Sequence, residues 1–185
     1  MSNHGSFSGN PKTEWLVDDA SPDRDMSLLA DFSFTDPDGK VWPAPKGSKI
    51  NGASIPQPLW STVGSPYTDD YRRASVVHDV ACNTPGVPRK AADVMFFHAC
   101  LAGGCGPLQA RILYAGVRIG AWGSKSLTAR SLSRKVQLDQ VALGQSPESN
   151  FMQSKLAQIA QEMEGLPDEP SIAQLDAAIK KHLKV

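Results

Sequence analysis

The 185-residue chain carries 19 Lys and Arg against 19 Asp and Glu, so no global field draws it to nucleic acid or to an anionic membrane. Hydrophobic residues make up 41% and charged residues 21%, the balance of a folded globular protein rather than of a chain disordered throughout. The three cysteines, Cys82, Cys100 and Cys105, are an odd number without CxxC spacing, which argues against a disulfide framework and a zinc ribbon. Two choices stay open for them: buried thiols in a reducing compartment, or one disulfide tying the Cys82 helix to the Cys100 helix.

Residues 1–25 are rich in Ser, Asn, Gly, Pro and Asp and lack an apolar period, which predicts a mobile arm in which only Trp15 and Leu16 offer a means of docking. The opening MSNHGSFSGNPKTEW has no basic then apolar run, and no apolar stretch approaches the ~20 residues of a membrane span. The expectation is cytoplasmic synthesis, no transmembrane segment, and any export by a signal-independent route.

Residues 26–123 read as the core domain. In LLADFSFTDPDGKVWPAP a DPDG turn separates Phe32 and Phe34 from Val41 and Trp42, which predicts a β-hairpin. KGSKINGASIPQPLWSTVGSPYT is dense in Gly, Ser and Pro and reads as a structured loop with a short helical turn near Leu59 and Trp60. A helix is predicted over 68–83, with Tyr71, Ala74, Val77 and Ala81 at helical spacing and Thr68, Asp69 and Asp70 suited to its start. TPGVP ends it. A second helix starts at Pro88 and stops at Gly103 and Gly104, and PLQARILYAGVRIGAW makes a third. After a linker over 124–148, an extension over 149–185 carries two amphipathic helices. One has Phe151, Met152, Leu156, Ile159 and Met163 on a face, and the other has Ile172, Leu175, Ile179 and Leu183. The fold class expected is α+β, mostly helical. The tail stripes imply packing on the domain, on a partner protein or in a dimer.

ASVVHDVACN places His78 and Asp79 inside a buried helix, turned about 100° from each other at ~3.6 residues per turn. The short TPGVPR connection makes the next helix an antiparallel neighbour, so Asp93 can face His78 across the pair. A carboxylate on one imidazole nitrogen fixes the tautomer and leaves the other nitrogen as a general base at neutral pH. Asp79 could ligate a hard cation such as Ca²⁺, with the NGASIP loop, through Asn51, Gly52 and Ser54, offering main-chain oxygens.

Plainer explanations stay open for each residue. Asp93 can pair with Arg89 at i, i+4, His78 can be a core histidine, and Asp79 can pair with Arg72 or Arg73. Ser54 would complete a Ser-His-Asp triad, but GAS is not a nucleophile elbow, and the same hydroxyl can cap a turn. His98 lacks a neighbouring metal-ligand pattern, and Tyr114 with Arg118 would buttress the site or simply stack at the surface.

The order WPAPKGSKINGASIPQPLW, GSPYTDDYRRASVVHD, PRKAADVMFFHAC, ILYAGVRIGAWG resembles a bacterial and phage family known as domain of unknown function thirteen-fifty-three, over roughly residues 27–123. That resemblance implies no activity. More distantly, the HD pair and the later D-x-x-F at Asp93 resemble the catalytic core of the phospholipase A2 superfamily. This second resemblance implies His78 as general base, Asp93 as its orienting group, and Asp79 with the Gly52 segment as a calcium site. Cys82 stands where that family usually has a Tyr, and the disulfides and multi-glycine loop of its secreted members are absent. The leading expectation is an ester hydrolase of phospholipase A2-like type, with a lipid substrate. The rivals are a non-enzymatic phage-derived or secretion-associated binding protein and a signal-less effector toxin.

Overall fold

A computed structural model describes residues 3–17, 25–52, 55–56, 59, 70–130 and 147–183. Six short strands precede five helices: β1 Ser6–Phe7, β2 Thr13–Trp15, β3 Met26–Leu28, β4 Phe32–Thr35, β5 Val41–Ala44 and β6 Lys49–Ile50, then α1 Arg72–Asn83, α2 Arg89–Gly103, α3 Pro107–Arg130, α4 Pro147–Glu164 and α5 Ile172–His182. The class is α+β and mostly helical, as the sequence predicts. The chain divides into two compact units, one of residues 1–53 with 66–106, the other of residues 54–65 with 107–185.

In the first unit the expected hairpin is β4–β5, with Phe34 opposite Trp42. Its turn is organised by Asp36. Oδ1 accepts from the N–H groups of Asp38 and Lys40, Oδ2 accepts from Trp42 Nε1 at 2.8 Å, and Gly39 supplies the φ of 83° that closes the turn. Pro43 has no N–H to donate, and β5 is an edge strand of the β1-β4-β5 sheet, where that omission costs little. A second sheet runs β2-β3-β6. α1 packs on β4, β5 and β6 and beside α2. Phe34, Ala44, Tyr71, Ala74 and Phe96 are wholly buried in this unit.

Residues 3–17, expected as part of a mobile arm, form strands instead. β1 pairs antiparallel with β4 and β2 with β3. The signal is weak in sequence because two- and three-residue strands show no period, and their stabilisation comes from backbone hydrogen bonds to strands far along the chain. Phe7 supplies the packing: its ring lies 5.7 Å from that of Phe32 and 4.9 Å from that of Phe34, and the Arg73 guanidinium sits 4.7 Å above it.

In the second unit α4 packs on α3 and on α5. α3 continues to Arg130, into the stretch expected as linker. The two predicted stripes are buried, with Leu156, Ile159, Met163 and Leu175 wholly so, while Phe151 stays largely exposed. Arg111 on α3 donates to the carbonyls of Met163, Pro167 and Asp168 at 2.9, 2.6 and 2.8 Å, satisfying oxygens that the end of α4 leaves without helical partners. α5 begins at a capping box between Ser171 and Gln174. Tyr114 and Arg118 converge here on Asp176, with the Tyr114 hydroxyl donating at 2.7 Å, so the buttress they form belongs to α5.

Because Phe7 clamps β1 onto the hairpin, Phe7→Ala should cost about 2 kcal/mol, below the ~3–5 kcal/mol of a fully buried Phe since the ring is only partly covered. Deleting residues 1–17 should lower the thermal midpoint by several degrees. Unchanged melting of both variants would return this segment to the role of a dispensable arm.

Candidate functional site

α1 places Ala74, Val77, His78 and Ala81 on its buried side, and α2 does the same with Ala92, Asp93, Phe96 and Cys100. Pro88, expected as the first helical residue, is the cap before α2, and Gly104 ends that helix in the left-handed conformation at φ 110°. The two helices bring His78 and Asp93 together: Nε2 and Oδ1 are 2.9 Å apart, and both side chains have no solvent exposure. A carboxylate oxygen opposite Nε2 assigns the neutral ring's proton to that nitrogen, leaving the lone pair on Nδ1. Burial lowers the His78 pKa, against the opposing pull of Asp93, so the ring is neutral at pH 7.

Three further groups complete the cluster. Arg89 Nε donates to the same Asp93 oxygen at 3.1 Å, so the i, i+4 pair and the interhelix bond coexist. Arg89 Nη2 is buried without an acceptor. Cys82 Sγ lies 3.5 Å from Nε2 and 3.8 Å from Nδ1 of His78, and the Phe96 ring centroid is 4.8 Å from the imidazole. None of the three cysteines is disulfide-bonded, so no disulfide joins the Cys82 and Cys100 helices. Cys100 hydrogen-bonds instead with Cys105, and burial raises its pKa well above that of an ordinary thiol. Sequence spacing already put Cys82 one turn from His78. What it could not give was the rotation that points the thiol at the ring.

Asp79 is turned away from this cluster toward the loop after β6. Its Oδ2 accepts from the Asn51 N–H at 2.6 Å and the carboxylate also receives the Gly52 N–H, while Asn83 Nδ2 donates to the Asp79 carbonyl at 3.0 Å. Gly52 has φ 96°, a conformation in which a side chain is strained, and this explains the glycine. The pairing with Arg72 or Arg73 is not what Asp79 makes. The loop thus meets Asp79 with amide donors, not with carbonyl oxygens, and a cation at Oδ2 would have to displace them. Asp79 and Gly52 do not fit a calcium centre in this arrangement. Ser54, the third expected ligand and the triad candidate, lies outside the described residues.

A cavity of about 550 Å³ opens on another face of α1, lined by Trp15, Met26, Ile50, Gly52, Arg72 and Ser75 among others. Neither His78 nor Asp93 lines it. Gly52 is the link, with one side on the cavity and its N–H on Asp79.

The comparisons with known proteins follow the same region. Residues 26–117, which run from β3 into the first half of α3 and carry all of the cluster, match the family described as "Protein of unknown function (DUF1353)". The chain belongs to the DUF1353 family. Two relatives come from Sinorhizobium fredii (strain NBRC 101917 / NGR234): "Uncharacterized protein y4jT", 38% identical over 110 residues, and "Uncharacterized protein y4iH", 37% identical over 102 residues. These matches cover 60% and 55% of this chain but only 32% and 43% of the relatives, so the chain spans less than half the length of each. No solved structure matches the chain.

Asp79 supplies a pH signature of its own. Desolvation raises its pKa from 3.8 to about 6, with the two loop amides opposing. A carboxyl that holds its proton more tightly when folded adds stability that is complete below the unfolded pKa and lost as pH rises through the folded one. Relative to Asp79→Asn, the native protein should therefore lose up to about 3 kcal/mol of stability between roughly pH 4 and pH 6, and the difference should be flat above that window. Urea unfolding of both proteins across this range measures it, and a difference growing in the opposite direction would contradict the burial of this group.

Proposed function

We propose that the DUF1353 segment is an ester hydrolase of phospholipase A2-like type, in which His78 takes a proton from water and Asp93 holds the ring for it. The observation supporting this reading is the 2.9 Å bond between Nε2 and Asp93 Oδ1 across α1 and α2. It leaves Nδ1 as the basic atom, on a ring kept neutral by burial. Once the wholly buried ring is opened to substrate, water deprotonated by Nδ1 would add to the ester carbonyl, and the imidazolium so formed, stabilised by Asp93, would return its proton to the departing alkoxide. A lipid ester is the substrate class that the phospholipase resemblance suggests. The proposed reaction has no step through calcium, because Asp79 meets amide donors. The absence of any helix long and apolar enough to cross a membrane, among the described residues, leaves a lipid to be met at an interface or as a monomer.

A second reading has its own observation. Complete burial of both His78 and Asp93 suits a brace between two helices, and the 550 Å³ cavity away from them lies within the ~300–1,000 Å³ range of small-molecule sites. In that reading the protein binds a ligand or partner and catalyses nothing.

Mixed phospholipids incubated with the purified protein, with released fatty acid read by mass spectrometry, separate the two. The hydrolase reading expects release that continues in EGTA and falls by at least about 100-fold in His78→Gln, the scale of a positioned general base. No release from the folded native protein over a broad panel of esters, or equal release by folded His78→Gln, would leave the brace.

A further inference from the structure

His78, Cys82 and Asp93 offer one nitrogen, one sulfur and one carboxylate oxygen within 4.8 Å of one another. We propose that these three side chains form a binding site for Zn²⁺. This does not rest on the hydrolase reading. Zinc bonds of ~2.3 Å to thiolate, ~2.0–2.1 Å to imidazole and ~2.0–2.2 Å to carboxylate, arranged tetrahedrally, separate S from N by about 3.6 Å and N from O by about 3.3 Å. The structure has Cys82 Sγ 3.5 Å from His78 Nε2, and Nε2 2.9 Å from Asp93 Oδ1. The nitrogen–oxygen pair must open by a few tenths of an ångström, and the sulfur and the carboxylate oxygen, within 4.8 Å of each other, must come to about 3.6 Å.

The backbone sets this geometry up. His78 and Cys82 are i and i+4 on α1, the spacing that puts two ligands on one helix face, and Asp93 comes from the antiparallel α2. Arg89 Nε, bonded to Asp93, orients the carboxylate from outside, and the Phe96 ring walls the imidazole. The donor set selects the metal: thiolate with imidazole favours zinc over calcium or magnesium, which take oxygen. On binding, the Cys82 S–H bond breaks and its proton goes to solvent, while the His78 ring proton moves from Nε2 to Nδ1 so that Nε2 can bond the metal. No redox partner is required. Three protein ligands leave the fourth tetrahedral position for water or another small donor. Zinc bound there replaces the hydrogen bond that positions His78, so a hydrolase working through that bond is inhibited by stoichiometric zinc.

Cobalt reports on such a site independently of catalysis, since a Co²⁺–thiolate bond adds near-ultraviolet charge-transfer absorption and a tetrahedral centre adds visible bands. The full chain, stripped of metal with a chelator and any tag removed, is titrated with Co²⁺ and then Zn²⁺. The expected result is one equivalent of Co²⁺ bound with both sets of bands, bleached by one equivalent of Zn²⁺. The conservative Cys82→Ser should lose the charge-transfer band and bind zinc more than about tenfold more weakly, and Arg89→Gln should weaken zinc by about 10–100-fold. Zinc should raise the melting temperature of the native chain more than that of Cys82→Ser. The double variant Cys100→Ser with Cys105→Ser should keep the band. No band in the native chain overturns the proposal, and so does a band that survives Cys82→Ser but disappears in the double variant, because the metal then sits on Cys100 and Cys105.

Discussion

A buried imidazole bonded to a buried carboxylate fixes how α1 and α2 lie against each other. Taking either group out of water is costly unless the other is in place, and removing one partner strands the second. A slide by one residue would break the 2.9 Å contact and carry the Arg89–Asp93 pair, which lies within α2, away from His78. The pair therefore specifies the register of two helices whose other buried residues include Ala74, Ala81, Ala92 and Phe96. The same constraint delivers Cys82 to the ring. The catalytic reading and the zinc site are two uses of one local geometry.

Polar side chains organise the rest of the molecule in a similar way. Asp36 builds the hairpin turn and receives the Trp42 indole, Asp79 gathers the loop amides of Asn51 and Gly52, and Arg111 collects the carbonyls at the end of α4. Each satisfies backbone or ring donors and acceptors that burial would otherwise leave open. In the second unit the apolar stripes of α4 and α5 are covered, with only Phe151 largely exposed among the stripe residues.

Much of this was legible from residue order. The DPDG turn between aromatic pairs specified β4–β5, and Pro88 with Gly103 and Gly104 bounded α2 closely. The facing of His78 and Asp93 followed from a short connection between two periodic helices. β1 and β2 were not legible, because strands this short take their order from partners more than ten residues away and not from their own pattern. The role of Asp79 was half legible. Its meeting with the Gly52 loop was expected, but whether that loop presents N–H or C=O groups depends on φ and ψ, which composition does not encode. The division of the chain at Gly106 was hidden too, since α3 has the same apolar character as the helix before it.

The tautomer of His78 tests the central geometry most directly. Long-range ¹H–¹⁵N correlation of the metal-free protein, with His78 assigned by comparison with His78→Gln, reads which nitrogen carries the proton and whether the ring titrates. The buried bond to Asp93 predicts a neutral ring with its proton on Nε2, unchanged from pH 8 down to below the ordinary histidine pKa of about 6.5. A proton on Nδ1, or titration near 6.5 as for a solvated histidine, would contradict the bond on which both the proposed chemistry and the packing of α1 against α2 depend.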